Sequence, residues 1–83
     1  MFLAIDLGAE SGRGIVGALD GDRLTLHEVH RFANETVRLP SGLHWDTPRL
    51  WLEIQEALRR AAAFARERGA PLESIGVDAW GVD

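Results

Sequence analysis

Asp6-Leu7-Gly8-Ala9-Glu10-Ser11-Gly12-Arg13 carries the chemistry most easily read from this chain. An acid closes a short apolar run, Phe2-Leu3-Ala4-Ile5, and small residues, a hydroxyl and a guanidinium follow. Backbone N–H groups in a turn free of bulky side chains can converge on phosphate oxygens. Ser11 adds a neutral donor and Arg13 a charge, and Asp6 is placed to hold Mg²⁺ or its waters. Read without any ligand, the same residues make an ordinary hairpin turn, for which glycine and polar residues are the default.

The surrounding elements decide what such a turn can do. Phe2 to Asp6 predicts a first strand. Gly14 to Leu19 predicts a second, closed by Asp20-Gly21-Asp22, whose Asp-Gly pair signals a hairpin. Arg23 to Phe32 alternates, with Leu24, Leu26, Glu28, His30 and Phe32 on one side, which favours a third strand. Ala33 to Trp45 reads as a loop punctuated by Pro40, Ser41 and Gly42. A helix starts at Asp46-Thr47-Pro48, where Asp46 or Thr47 can cap and Pro48 loses nothing in the first turn. Leu50, Trp51, Ile54, Ala57, Leu58, Ala61, Ala62 and Ala65 share one face of it, and Gly69 with Pro71 ends it. Ser74 to Asp83 begins as a buried strand, parallel to its partner because a helical crossover precedes it. The expected class is therefore α/β: three antiparallel strands, a helix, and a fourth, parallel strand in one mixed sheet.

Composition excludes several functions. With 83 residues the chain is at most one small domain, which buries only about 60–65% of its unfolded surface. It has no cysteine, hence no disulfide framework or thiolate metal site. His27, His30 and His44 have no metal-ligand spacing. No apolar run approaches the ~20 residues of a membrane span, and no basic leader precedes Phe2, so a cytoplasmic location is expected. The net charge is −4 and the basic residues are dispersed, unlike a nucleic-acid-binding face. All nine basic residues are arginine, and without lysine a Walker A loop cannot form.

Gly8, Gly12 and Gly14 also fit the GxxxGxG spacing of nicotinamide-binding dehydrogenases. That fold needs the last glycines to open a helix. Only Ile15 to Leu19 separate Gly14 from the next turn, whereas a crossover needs about ten residues or more. A non-catalytic binding module is the other alternative.

Three separated segments resemble the FGGY carbohydrate kinases of the actin-like ATPase and sugar kinase superfamily: Ala4 to Arg13, His30-Arg31-Phe32-Ala33-Asn34, and Ser74 to Asp83. Gly42-Leu43-His44-Trp45-Asp46 fits as well. The Trp80-Gly81-Val82-Asp83 ending narrows the likeness to the branch acting on L-rhamnulose. The resemblance covers nearly all of residues 1–83 and implies the N-terminal, ribonuclease H-like (actin-like ATPase) part of a first kinase domain, left incomplete here. It implies ATP-dependent phosphorylation of the 1-hydroxyl of L-rhamnulose. Xylulose, ribulose, fuculose and glycerol kinases share the architecture and stay open as alternatives. Carried over by position, Gly8 and Ala9-Glu10-Ser11-Gly12-Arg13 would bind ATP phosphate, Asp6 would contact Mg²⁺ through water, and Gly81 would lie against the sugar. Trp80 and Asp83 would shape that pocket. Glu10 should face solvent or pair with an arginine such as Arg13. Asp78, between apolar residues, needs a partner if buried. Trp80 fits a rim aromatic as well as a ligand platform, and His30 and Arg31 read as structural. The general base is expected in a later segment of a longer kinase, so these residues alone should be catalytically inert.

Overall fold

The computed structural model describes residues 1–81. Strands β1 (Phe2–Leu7), β2 (Ser11–Asp20) and β3 (Arg23–Ala33) are followed by β4 (Thr36–Leu39), β5 (Gly42–Trp45), helix α1 (Thr47–Glu67) and β6 (Ser74–Ala79). The main sheet has the order β3-β2-β1-β6, with β1, β2 and β3 antiparallel and β6 parallel to β1. The mixed sheet and the crossover helix agree with the sequence expectation. The stretch read as a loop does not. Residues 36–45 form a separate two-stranded hairpin, pairing Thr36 with Trp45 and Leu39 with Gly42. Pro40 and Ser41 are its turn, and its strands are too short for their alternation to stand out.

Alternation in β1 puts Leu3, Ile5 and Leu7 on one face and Phe2, Ala4 and Asp6 on the other. Leu3 and Ile5 join Val16 and Ala61 in the buried core. Each buried aliphatic side chain of this kind contributes roughly 1.5–3 kcal/mol. Helix α1 meets that face along a ridge of small residues, Ala57, Ala61 and Ala65, all buried. Small residues are needed because the strands opposite are also small: a Cβ on Gly14 would sit 2.9 Å from the Ala57 Cβ. A Cβ on Gly12 would fall within the Phe32 ring. Trp51, expected on the packed face, is instead 57% exposed, because the alanine ridge rather than the wider apolar stripe faces the sheet.

Asp46 caps the helix by accepting a hydrogen bond from the Arg49 N–H. At the other end Arg68 is the cap residue and Gly69 follows at φ +66°. The Ala70 N–H reaches the Ala65 carbonyl and the Gly69 N–H the Arg66 carbonyl, a Schellman closure that favours glycine at this left-handed position.

Two expectations about the strands are corrected. The alternation of β3 does not run unbroken, because the pairing shifts between Gly14↔His30 and Ile15↔Glu28. Val29 is the extra residue of this bulge, and it turns His30 and Phe32 to the helix side while Leu24, Leu26 and Glu28 stay on the open side. The final strand is not buried, since all six residues of β6 are exposed. Helix α1 packs on β1, β2 and β3, so β6 is an edge strand with neither face covered.

Candidate functional site

The Asp6 end of β1 gathers the groups singled out in the sequence. Asp6 pairs across the sheet with Arg13 on β2 and with Asp78 on β6, so register alone places two carboxylates and a guanidinium side by side on the open face. Arg13 donates to the Asp6 carboxylate at 2.8 Å. The hydrogen bond with Asp78, then that from Arg13, holds the Asp6 carboxyl below the usual carboxylate range. Asp78 moves the opposite way, raised by sharing that hydrogen bond with Asp6, by partial desolvation and by the neighbouring negative charge. The two neighbouring acids therefore titrate as a pair, Asp6 ionising before Asp78. Asp78 thus has the partner the sequence demanded, but on an exposed strand. Arg13 is engaged by Asp6, and Glu10 is exposed rather than paired with it.

The turn after β1 is tighter than expected. Ser11, Gly12 and Arg13 already belong to β2, leaving Gly8, Ala9 and Glu10 as the connection. The Gly8 N–H donates to the Ser11 carbonyl at 3.0 Å. A Cβ on Gly8 would lie 2.5 Å from the Ser11 carbonyl oxygen, so glycine is required here for close approach of backbone to backbone. Asn34, just past β3, grips the turn twice: its N–H donates to the Glu10 carbonyl and its Nδ2 to the Gly8 carbonyl, both at 2.9 Å. The sequence alone assigns Asn34 no role. Nothing local marks it, because its partners lie in the distant turn between β1 and β2, Gly8 being 26 residues away.

The residues expected beside the sugar follow β6 in sequence. Trp80 is half-buried against Trp45, with ring centroids 4.5 Å apart. This contact ties the β4–β5 hairpin to the end of β6. Gly81 is exposed, and a Cβ there would meet nothing within 4 Å. Asp83 lies outside the described residues. His30 is buried and faces Glu53 at 3.5 Å, in keeping with a structural place under the helix.

Among the described residues no group of three or more His, Cys, Asp or Glu side chains could hold a metal ion. The two carboxylates at Asp6 and Asp78 are therefore no dedicated cage. Their oxygens fit a largely hydrated Mg²⁺ brought by a phosphate, which commonly takes only one or two protein carboxylates. The glycine spacing has a different explanation from a dinucleotide fold. Gly12 and Gly14 lie within β2, where each makes room for a neighbour, and no helix opens after them; the dehydrogenase alternative is thereby set aside.

A mixed sheet with an acid at the end of β1, followed by a tight small-residue turn and a helical crossover, defines an α/β segment with a polar site at one sheet end. No protein-family model matches the sequence. Individual relatives do. The chain is 40% identical over 82 residues to a rhamnulokinase of Bacteroides thetaiotaomicron, which takes in 99% of this chain and 16% of that protein. It is 41% identical over 81 residues to a rhamnulokinase of Oceanobacillus iheyensis and 35% identical over 83 residues to one of Bacillus subtilis. Over nearly its whole length, then, the chain is related to the rhamnulokinases, as its motifs led us to expect. It spans about 16% of the length of these relatives.

Proposed function

We propose that residues 1–83 form the phosphate-binding part of the first, ribonuclease H-like domain of a cytoplasmic carbohydrate kinase that transfers the γ-phosphate of ATP to the 1-hydroxyl of L-rhamnulose. The observation that carries this reading is 35–41% identity to rhamnulokinases over nearly the whole chain, together with a strand-end acid beside a glycine turn. Among the described residues no helix is long and apolar enough to cross a membrane.

In this reading Gly8 to Arg13 line the ATP phosphates. The turn supplies N–H groups, Ser11 a hydroxyl, and Arg13 a guanidinium once it leaves Asp6. Asp6 orients the waters of Mg²⁺, which neutralises developing charge on the phosphoryl oxygens when bound. Asp78 keeps Asp6 in place from the other side. Gly81, lacking a Cβ, admits a sugar hydroxyl close to backbone, and Trp80 and Asp83 shape that side of the pocket. In the resembled family the general base comes from a later segment, so residues 1–83 alone are expected not to turn over. Phosphoryl transfer of this kind rests on positioning and charge neutralisation, which suits a segment rich in backbone donors.

The test is a panel of L-rhamnulose, L-fuculose, xylulose, ribulose and glycerol offered with MgATP to the full-length protein. Preference for L-rhamnulose, with phosphate at O1, is the expected result. Preference for another acceptor would move the protein to another FGGY kinase, and no ATP turnover with any of them would overturn the kinase reading.

A further inference from the structure

The turn between β1 and β2 has an asymmetry that a single side chain maintains. Of its carbonyls, Gly8 is taken by the Asn34 Nδ2, Glu10 by the Asn34 N–H, and Ser11 by the Gly8 N–H. The Ala9 and Glu10 N–H groups have no hydrogen-bond partner among the described residues. All described peptide bonds are trans. In a trans peptide the carbonyl of one residue and the N–H of the next point in opposite directions. The side-chain bond from Asn34 to the Gly8 carbonyl therefore fixes the Ala9 N–H on the far side of the turn, away from Asn34. Without it the Gly8–Ala9 peptide could flip and present a carbonyl oxygen instead, which repels an anion.

Asn34 is also costly to keep. It is 7% exposed, and its Oδ1 is buried with no hydrogen-bond partner. A buried acceptor left unsatisfied destabilises the fold, so burial at this position is not best served by asparagine. What asparagine adds over an apolar residue is the donor to Gly8.

We propose that Asn34 is a positioning residue that aims the Ala9 N–H at a nucleotide phosphate by locking the Gly8–Ala9 peptide. This rests on the kinase reading above and assigns to the residue just past β3 a part in building the phosphate turn. Asn34 itself touches no substrate.

The experiment measures MgADP binding by calorimetry and both KM values in the full-length protein, for wild type, Asn34→Ala and Asn34→Asp. Asp is isosteric but cannot donate when ionised. Both variants should weaken MgADP binding and raise the KM for ATP by about tenfold, the order expected for one lost hydrogen bond. The KM for sugar should stay within about twofold of wild type, since uniform damage would move both constants. Wild-type nucleotide affinity in either variant would overturn the proposal. So would equal losses for ATP and sugar together with a lowered thermal midpoint, which is what a purely structural role gives. Failure of the wild-type protein itself to bind MgADP would instead sink the kinase reading on which the proposal stands.

Discussion

The two strands that flank β1 are built in opposite ways. On one side β2 lies under α1, with Gly12, Gly14 and Val16 buried and its glycines fitted to Phe32 and Ala57. On the other, β6 is exposed along all six residues, and Ile75 and Val77 remain 52% and 59% exposed. Both strands bring an ionisable residue to Asp6, yet only β2 brings it from a packed scaffold. The Arg13 side of Asp6, proposed above to meet phosphate, therefore rests on residues that are already packed. The residues proposed for the sugar side, Trp80 and Gly81, follow β6, which has no comparable packing among the described residues.

Paired substitutions put this contrast at risk. Within residues 1–83, Val16→Ala should cost about 1.5–3 kcal/mol, the scale of burying a valine side chain, while Val77→Ala on β6 should change stability by no more than about 0.5 kcal/mol. Denaturant midpoints of the two variants read the difference directly, and equal losses would mean that β6 is packed as firmly as β2. A loss of similar size, about 1–3 kcal/mol, is expected for Gly12→Ala because the buried Phe32 ring must move. Gly81→Ala should leave stability within about 0.5 kcal/mol and act on the KM for sugar alone. A Gly81→Ala variant with unchanged sugar kinetics would remove that glycine from the pocket.

The smallest expected effect is one of pH. The raised Asp78 carboxyl contributes stability that is fully present below the ordinary carboxylate pKa and is lost as pH rises through its folded value. The lowered Asp6 carboxyl contributes stability present above the ordinary value and lost as pH falls through its own. Asp78→Asn abolishes the first contribution and leaves Asp6 paired with Arg13. Stability of the wild type, followed by denaturant midpoint upward from about pH 4, should therefore show a decline that the variant lacks. Parallel profiles would mean that the two acids titrate independently.

The packed side was also the more legible one in the sequence. Phe2 to Asp6, the Asp20-Gly21-Asp22 hairpin, the Asp46 cap and the Gly69 stop are local signals, and each sits at or within a residue or two of where it was expected. The glycine turn stood out for the same reason. Features that depend on partners distant in sequence did not. The bulge at Val29 reverses the faces of half of β3 through pairing with β2, which no run of residues 23–33 encodes by itself. The hairpin over residues 36–45 hid behind Pro40 and Gly42, which signal a loop and a turn equally well. Asn34 and Asp78 acquire meaning only from Gly8 and Asp6, their neighbours across the sheet. Exposure of β6 was invisible because an apolar run does not reveal how far one helix can reach.

We read the Asp6 end of β1 as the phosphate and metal side of a carbohydrate kinase. Steady-state kinetics of Asp6→Asn in the full-length protein test it most directly. If Asp6 places Mg²⁺, kcat should fall about 100-fold or more, on the scale of losing one charge-stabilising contact in the transition state, with the KM for sugar little changed. Wild-type turnover by Asp6→Asn would contradict the account.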